Sequence, residues 1–445
     1  MREEVSKDTS GPDLARALYH VGIDDTDDQG GGCTTYSAYK AIKELLANGL
    51  DVVDFPRLLR LDPNVPWKTR GNAAVGFSVL GDKQRIIEIV QACLRESTRG
   101  LHSNPGLVIT NRSQRVKIRS VFSGAVSRLL NPFESFEVLS RSGAVVYGKR
   151  RRSLIGAAAA ACNLLLVGDY SYELITYRRS ELIGTARRIS GSSVASMDIE
   201  FHDATFNNLF GFMQCVAPHG SDPVLFGLRG EDPRSLIRAM SLIRSEAPSG
   251  WAVFVTNQGT DNHYQDMPLK SSRLGDSLSL RGSVAGFPRV LKGGHLTVEL
   301  DSDGGKITAV AFRESGVVRD AVAGLSPGDE VMVMGGVKMQ LPLSLNIEKL
   351  KILRTVPRAI LRNPVCRLCG KRTKSAGRGQ GVRCETCDTD YRDSQGVAVF
   401  VSQGLPPGLY LPPSSSIGHL TKPLARYGRE KREREFRLRR FSFLN

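Results

Sequence analysis

Through Gly168 the apolar positions alternate between strand-like runs and helical spacing. YHVGI, within residues 19–27, reads as a short apolar strand running straight into the acidic loop DDTDD. After Gly30, Gly31, Gly32 and Cys33, the residues Tyr36, Tyr39, Ile42, Leu45 and Leu46 recur at roughly helical spacing, with Thr34 or Thr35 at the N-cap or in the first turn. A strand at 73–80, a helix near 83–95 and another from about 153 to 166 continue an α/β pattern. A second unit begins near Tyr170: strands at 172–177, 197–201 and 251–256 and a helix at 232–245 predict a small α+β sandwich. Residues 278–353 change character. About five short alternating strands between Gly, Pro and Asp turns, interrupted by the helical stretch VVRDAVAGL, predict a closed β-barrel of OB type; a β-sandwich would need more strands. A cysteine cluster, the strand-like GVAVFVSQ and the linker PPGLYLPPSSS complete the order.

With 445 residues, the chain has room for roughly three domains, and a single compact core is improbable. Hydrophobic residues at 41% and charged residues at 24% exclude global disorder, collagen and coiled-coil rods. The longest nearly uncharged run, Ile155 to Gly168, is too short to cross a bilayer and reads as a buried helix. The N-terminus lacks an apolar core of the secretory type, so a cytoplasmic protein is expected. Lys and Arg total 61 against 45 acids, a net charge of +16 that fits a polyanionic partner, with general solubility charge as the alternative. Lys422 to Arg440 holds nine basic and three acidic residues, with Phe436, Phe441 and Phe443 close by. It reads either as a solvated tail or as an arm that orders on RNA.

Among the eight cysteines, Cys33, Cys93, Cys162 and Cys215 stand alone and read as reduced thiols. Cys366-x-x-Cys369 and Cys384-x-x-Cys387 form two knuckles, which together complete a tetrahedral S4 zinc site; redox dithiols are the alternative. With all four positions filled by protein, no place remains for an activated water, so the metal is structural. Arg367, Lys371, Arg372, Lys374, Arg378 and Arg383 decorate this module as a phosphate-facing surface would.

Asp24, Asp25, Asp27 and Asp28 repel one another unless cations neutralise them. At the C-terminal end of a buried strand they are placed where α/β domains bind ligands, and hard carboxylate oxygens suit Mg²⁺ bridging to nucleotide phosphates. The bland reading is an exposed acidic turn capping a helix, and a Walker A lysine is absent. Lys68, Arg70, Gly71 and Asn72, beside Trp67, could clamp a triphosphate, although such groups are more often a basic turn. Lys149-Arg150-Arg151-Arg152 reads first as a solvated, RNA-facing loop. TFNN, PHG and NQGTDNH mix small polar residues with turns, as ligand-lining loops and ordinary turns both do.

The ordered motifs GIDDTD with CTT, WKTRGN, TFNN, PHGSDPVLFGLRG and TNQGTDNH, then the barrel segment and the four-cysteine ribbon, together resemble the archaeal tRNA(Ile) 2-agmatinylcytidine synthetase family. The resemblance runs from about Tyr19 to the tail. It implies a multidomain α+β chain: a kinase-like ATP-binding catalytic domain at 17–168, a ferredoxin-like domain at 169–272, an OB-fold at 278–354, a zinc ribbon at 361–402 and a basic tail at 410–445. It also implies ATP-dependent attachment of agmatine to C2 of the wobble cytidine of a CAU-anticodon tRNA(Ile), so that the tRNA reads AUA. Asp24, Asp25 and Asp27 would bind Mg²⁺-ATP, and Thr34 matches the threonine autophosphorylated in the family. Two departures stand out: three glycines precede Cys33 where the family has one glycine and a methionine, and Asp388 stands where the second knuckle usually has glycine.

The chemistry is coherent. The C2 carbonyl of cytosine offers no leaving group until phosphoryl transfer activates its oxygen. Agmatine, a dication, needs carboxylates or aromatic faces, with Asp203, Asp222 and Asp261 as candidates. The cytidine must leave the anticodon stack. The rival readings are a non-catalytic single-strand nucleic-acid-binding protein and an RNA-stimulated kinase of another substrate.

Overall fold

The computed structural model describes residues 17–28, 30–68, 71–98, 102–162, 168–210, 213–214, 216–218, 220–338, 343–392, 397–401, 405–432 and 434–445. Eight strands form one sheet: β1 (Ala17–Asp24), β2 (Asp51–Arg60), β3 (Ala73–Gly81), β4 (Gly106–Thr110), β5 (Val145–Tyr147), β6 (Ser171–Tyr177), β7 (Val224–Gly230) and β8 (Gly250–Thr256), in the order β5-β4-β1-β3-β2-β8-β6-β7. The two units read from the sequence therefore share a sheet. They join where β8 runs parallel to β2, with Val255 opposite Arg57 and Thr256 opposite Leu58. The predicted strands at 73–80, 172–177 and 251–256 are present.

Helices α1 (Thr34–Ala47) and α2 (Lys83–Ser97) cover one face of the first half, with Ile42, Leu45, Val79, Ile86 and Val90 in a common core. Helices α3 (Arg112–Phe122), α4 (Pro132–Ser142) and α5 (Arg151–Ala161) cover the other. The predicted helix at 153–166 is α5; positions 163–167 lie outside the described residues. From Gly156 onward α5 is glycine followed by five alanines, so this part can sink onto the sheet. A Cβ at Gly22 would lie 1.8 Å from the Ala157 carbonyl oxygen, and one at Gly106 2.4 Å from that of Ser153. Only glycine tolerates so close a helix–strand approach.

In the second half, α6 (Gly191–Glu200) and α7 (Pro233–Leu242) pack on β6, β7 and β8 through Leu174, Val194, Met197, Leu228 and Leu236. The strand expected at 197–201 is thus the end of a helix. MDIEF alternates in period two, but the Ser190 side chain caps the segment by accepting from Ser193 N, and Val194 and Met197 bury on one helical face.

Residues 277–354 close a five-stranded barrel: β9 (Ser277–Val284), β10 (Leu296–Ser302), β11 (Gly305–Ala311), β12 (Glu330–Lys338) and β13 (Ser344–Arg354). They pair β9-β12-β13-β11-β10 and back to β9, with α8 (Val317–Ala323) packed against β10, β11 and β13. The strand-like segment after the cysteines, Val397–Val401, pairs with Arg358–Arg362.

The basic C-terminal segment is not a free tail: many of its side chains are exposed, but several are buried against the large sheet. It folds back along the eight-stranded sheet. Arg426, fully buried, donates to Asp169, Glu231 and the Gly259 carbonyl. Arg434 forms a buried pair with Asp54, at the bulge where β2 shifts register against β3. Phe441 and Phe443 pack on Phe55, and Leu444 bridges to Ala252.

Candidate active site and zinc centre

β1 ends at Asp24 inside the sheet, and the chain turns sharply there: Asp25 takes a left-handed φ of 56°, which aspartate tolerates better than most residues. Its backbone N–H donates to Asp24 Oδ1 at 2.7 Å. Asp27 turns back to α1, where its carboxylate accepts from Thr34 N at 3.1 Å and from the Thr34 hydroxyl at 3.4 Å. Asp28 holds the other side of the loop, accepting from Gly30 N and His102 N. Thr34 is buried in a hydroxyl network with Thr26 and Ser37.

A pocket opens above these carboxylates, lined by Asp24, Asp25, Asp27, Leu61, Val65, Trp67, Lys68, Asn72, Arg128, Arg152, Ile155 and Gly156 among others. The loop DDTDD and the segment WKTRGN, some forty positions apart, thus face one cavity. Lys68 and Asn72 line it; Gly71 sits behind, where a side chain would meet His419 of the C-terminal segment. Arg70 lies outside the described residues. Asn72 holds the segment by donating to the Asp62 carbonyl at 2.8 Å. Lys68 donates to the Pro63 carbonyl.

Burial and then the charges of Asp25 and Asp27 push the Asp24 carboxyl well above the ordinary carboxylate range. Burial and the Asp27 charge raise Asp25 to about 6, with Arg150 pulling it back. Among the described residues neither Asp24 nor Asp25 has an ion-pair partner within reach. Such a set of crowded oxygens fits a hard divalent cation.

Sequence reasoning missed Arg128 and Gly156, and it placed Arg152 in a solvated loop and not in the pocket. The run Lys149–Arg152 is only half a loop, since Arg151 and Arg152 open α5. Gly156 brings α5 onto the acidic end of β1: a Cβ there would sit 1.9 Å from Asp24 Oδ2. The glycine before five alanines was the available signal.

The NQGTDNH segment is a staple. Asn257 exchanges hydrogen bonds with the Arg60 backbone at 2.8 and 2.9 Å, and Gln258 accepts from the Arg60 guanidinium at 3.1 Å. Of the three aspartates considered for agmatine, Asp261 is bound by the buried Lys349 at 2.7 Å, the buried Asp222 pairs with Arg187 at 3.3 Å, and the exposed Asp203 pairs with Arg429 at 3.2 Å. A second open cleft lies beside Asp222, lined by Thr185, Arg187, Pro218, Gly220 and Ser221.

The four cysteines converge: the sulfurs of Cys366, Cys369, Cys384 and Cys387 all lie within 4.8 Å of one another. That spacing matches a tetrahedron of thiolates around one zinc. Gly370 takes φ 71°, and Asp388 takes the corresponding left-handed φ of 51° in the second knuckle, so the missing glycine changes nothing in the turn. Tyr391 holds its hydroxyl 3.3 Å from Cys366 Sγ and accepts from Arg367 N.

A multidomain α+β chain with an acidic ligand pocket, a closed barrel and a four-cysteine ribbon defines the class. Family models described as the TiaS TCKD domain, the TiaS FLD domain and the TiaS C-terminal zinc ribbon domain match residues 20–92, 151–263 and 363–401. The isoleucine-tRNA 2-agmatinylcytidine synthetase TiaS of Archaeoglobus fulgidus is 36% identical over 422 residues, 93% of this chain and 98% of that protein. The enzyme of the same name from Methanosarcina mazei is 36% identical over 421 residues, 91% and 97% of the two chains. Among solved structures, apo TiaS superposes with a TM-score of 0.81 at 35% identity, covering 92% of this chain and 97% of that one. A complex of TiaS with its isoleucine tRNA, AMPCPP and agmatine gives 0.78 at 33% identity with the same coverage. The chain belongs to the TiaS family of isoleucine-tRNA 2-agmatinylcytidine synthetases.

Proposed function

We infer that this chain is an ATP-dependent ligase that joins agmatine to C2 of the wobble cytidine of the CAU-anticodon tRNA(Ile), and that the pocket above Asp24 and Asp25 is where the base is activated. The full-length similarity to TiaS enzymes, including complexes with isoleucine tRNA, ATP and agmatine, supports the reaction. The observation that carries the site is the pair of partly buried carboxylates, raised and without ion-pair partners among the described residues, at the end of β1 and facing the segment WKTRGN. A non-catalytic nucleic-acid-binding role leaves that costly arrangement unexplained.

In this reading residues 17–168 are the kinase-like catalytic domain, 169–272 the ferredoxin-like domain, 278–354 an OB-fold, 361–402 the ribbon and 410–445 the basic tail. Asp24, Asp25 and Asp27 hold Mg²⁺, which neutralises phosphate charge when bound. Lys68, Arg70, Gly71 and Asn72 seat the nucleotide's phosphates, and Arg128 and Arg152 line the same cavity. Phosphoryl transfer needs little covalent help from protein, so positioning and electrostatics supply most of the rate. Asp27 fixes Thr34 at the start of α1, the position that the family resemblance marks for autophosphorylation. Once the C2 oxygen carries phosphate, an amine can displace it. Zinc in the ribbon is structural, and the +16 charge serves the tRNA.

Mass spectrometry of the CAU-anticodon tRNA(Ile) after incubation with ATP and agmatine tests this. A wobble cytidine heavier by the agmatine adduct is expected; unmodified tRNA with wild-type protein would defeat the assignment.

A further inference from the structure

Beside the acidic pocket, three aromatic rings lie under two guanidinium groups from the first turn of α5. Arg152 stands 4.2 Å from the centroid of Trp67. Arg151 stands 4.6 Å from Phe133 and 5.1 Å from Phe136. Two of these rings are exposed, Trp67 by 48% and Phe133 by 69%, while Phe136 is partly buried against the core beneath them. With one face under Arg152, the indole still has surface left for a second flat group. Trp67 and Arg152 also line the pocket that holds Asp24 and Asp25. The rim therefore continues from the reacting carboxylates out to the protein surface.

Alternating cations and exposed rings is the pattern that binds unpaired nucleotides, because bases stack on the rings while guanidinium groups meet the phosphates. Double-helical RNA keeps its base faces stacked and presents only sugars, phosphates and base edges, which would leave the rings unused. We propose that this rim is the landing surface for an unpaired RNA loop: Trp67 stacks the base that enters the pocket, Arg152 meets its phosphate, and the Arg151–Phe133 pair holds an adjoining nucleotide. The inference rests on the ligase reading and deepens it, since it says how the wobble cytidine is held out of its stack.

The chain has two tryptophans, and Trp251 lies on β8 outside the pocket. In a Trp251→Phe protein, emission therefore reports Trp67 alone. A hairpin RNA carrying the CAU anticodon loop of tRNA(Ile) should quench that emission. The same hairpin with an abasic wobble position should quench little and bind about tenfold more weakly, and Mg²⁺-ATP alone should not quench. Quenching by Mg²⁺-ATP alone would assign the indole to adenine, and equal quenching by the abasic hairpin would remove the base from it; either overturns the proposal. An Arg151→Ala/Phe133→Ala protein, with circular dichroism confirming its fold, should bind the hairpin roughly ten- to a hundredfold more weakly; unchanged binding overturns the second half of the rim. Agmatinylation of intact tRNA by the single-tryptophan protein is scored in parallel. A failed rim with product still formed overturns this inference alone. Rim binding without product supports the rim and counts against the ligase reading.

Discussion

Two groups of buried acids in this molecule meet opposite fates. Along the C-terminal segment the buried acids among the described residues are answered by cations and hydrogen-bond donors. Burial alone would raise Glu231, but hydrogen bonds from Arg426 and Lys431 outweigh it and hold the carboxyl below its usual range. Glu348, raised by burial, is likewise brought down by His263, Tyr264 and Thr421. At the end of β1, burial and mutual repulsion outweigh the Asp25 N–H on Asp24 and the charge of Arg150 near Asp25, and both rise. The first group ties distant parts of the chain together. The second stores unfavourable electrostatics that a bound cation would relieve. Charge that the fold leaves uncompensated marks the site; charge that it compensates marks the frame.

That contrast can be broken in four places. Asp25→Asn should lower agmatinylation about a hundredfold or more, measured by mass spectrometry of the tRNA, while thermal stability holds or rises because one repelling charge is gone. Arg426→Met should do the reverse. It strands Asp169 and Glu231 and should cost about 3–5 kcal/mol in denaturant unfolding, with activity per folded molecule retained. Gly156→Ala falls between the two, because its methyl group would collide with Asp24. A loss of about 1–3 kcal/mol should accompany a rate defect, since moving a reacting group by an ångström is expensive. The smallest effect is on pH dependence. A carboxyl raised to about 6 in the folded state stabilises below its unfolded pKa of about 3.9 and loses that contribution as pH climbs through 6. Metal-free protein should therefore lose stability across that window, and Asp25→Asn should lose less.

Local patterns made much of this legible. The strand leading into DDTDD, the helix that starts at Thr34, the cysteine knuckles and the barrel all follow from short-range periodicity and spacing. What escaped was non-local. No local signal announces that β8 lies parallel to β2, because Val255 meets Arg57 only through tertiary folding. The alternation in MDIEF is real, yet the Ser190 cap and the burial of Val194 and Met197 outweigh it. The arginines of the last thirty residues look solvated by composition, but Arg426 and Arg434 are answered by acids far back in the sequence. Within the site, the two loops could be named separately. Their meeting, and the arginines that α5 adds, depend on how a helix of alanines settles on glycines.

The most direct test is crystallographic. Crystals grown with Mn²⁺ and AMPCPP should show anomalous density among the carboxylates of Asp24, Asp25 and Asp27, with the terminal phosphates toward Lys68 and Asn72. Metal and nucleotide bound together anywhere else would contradict the account.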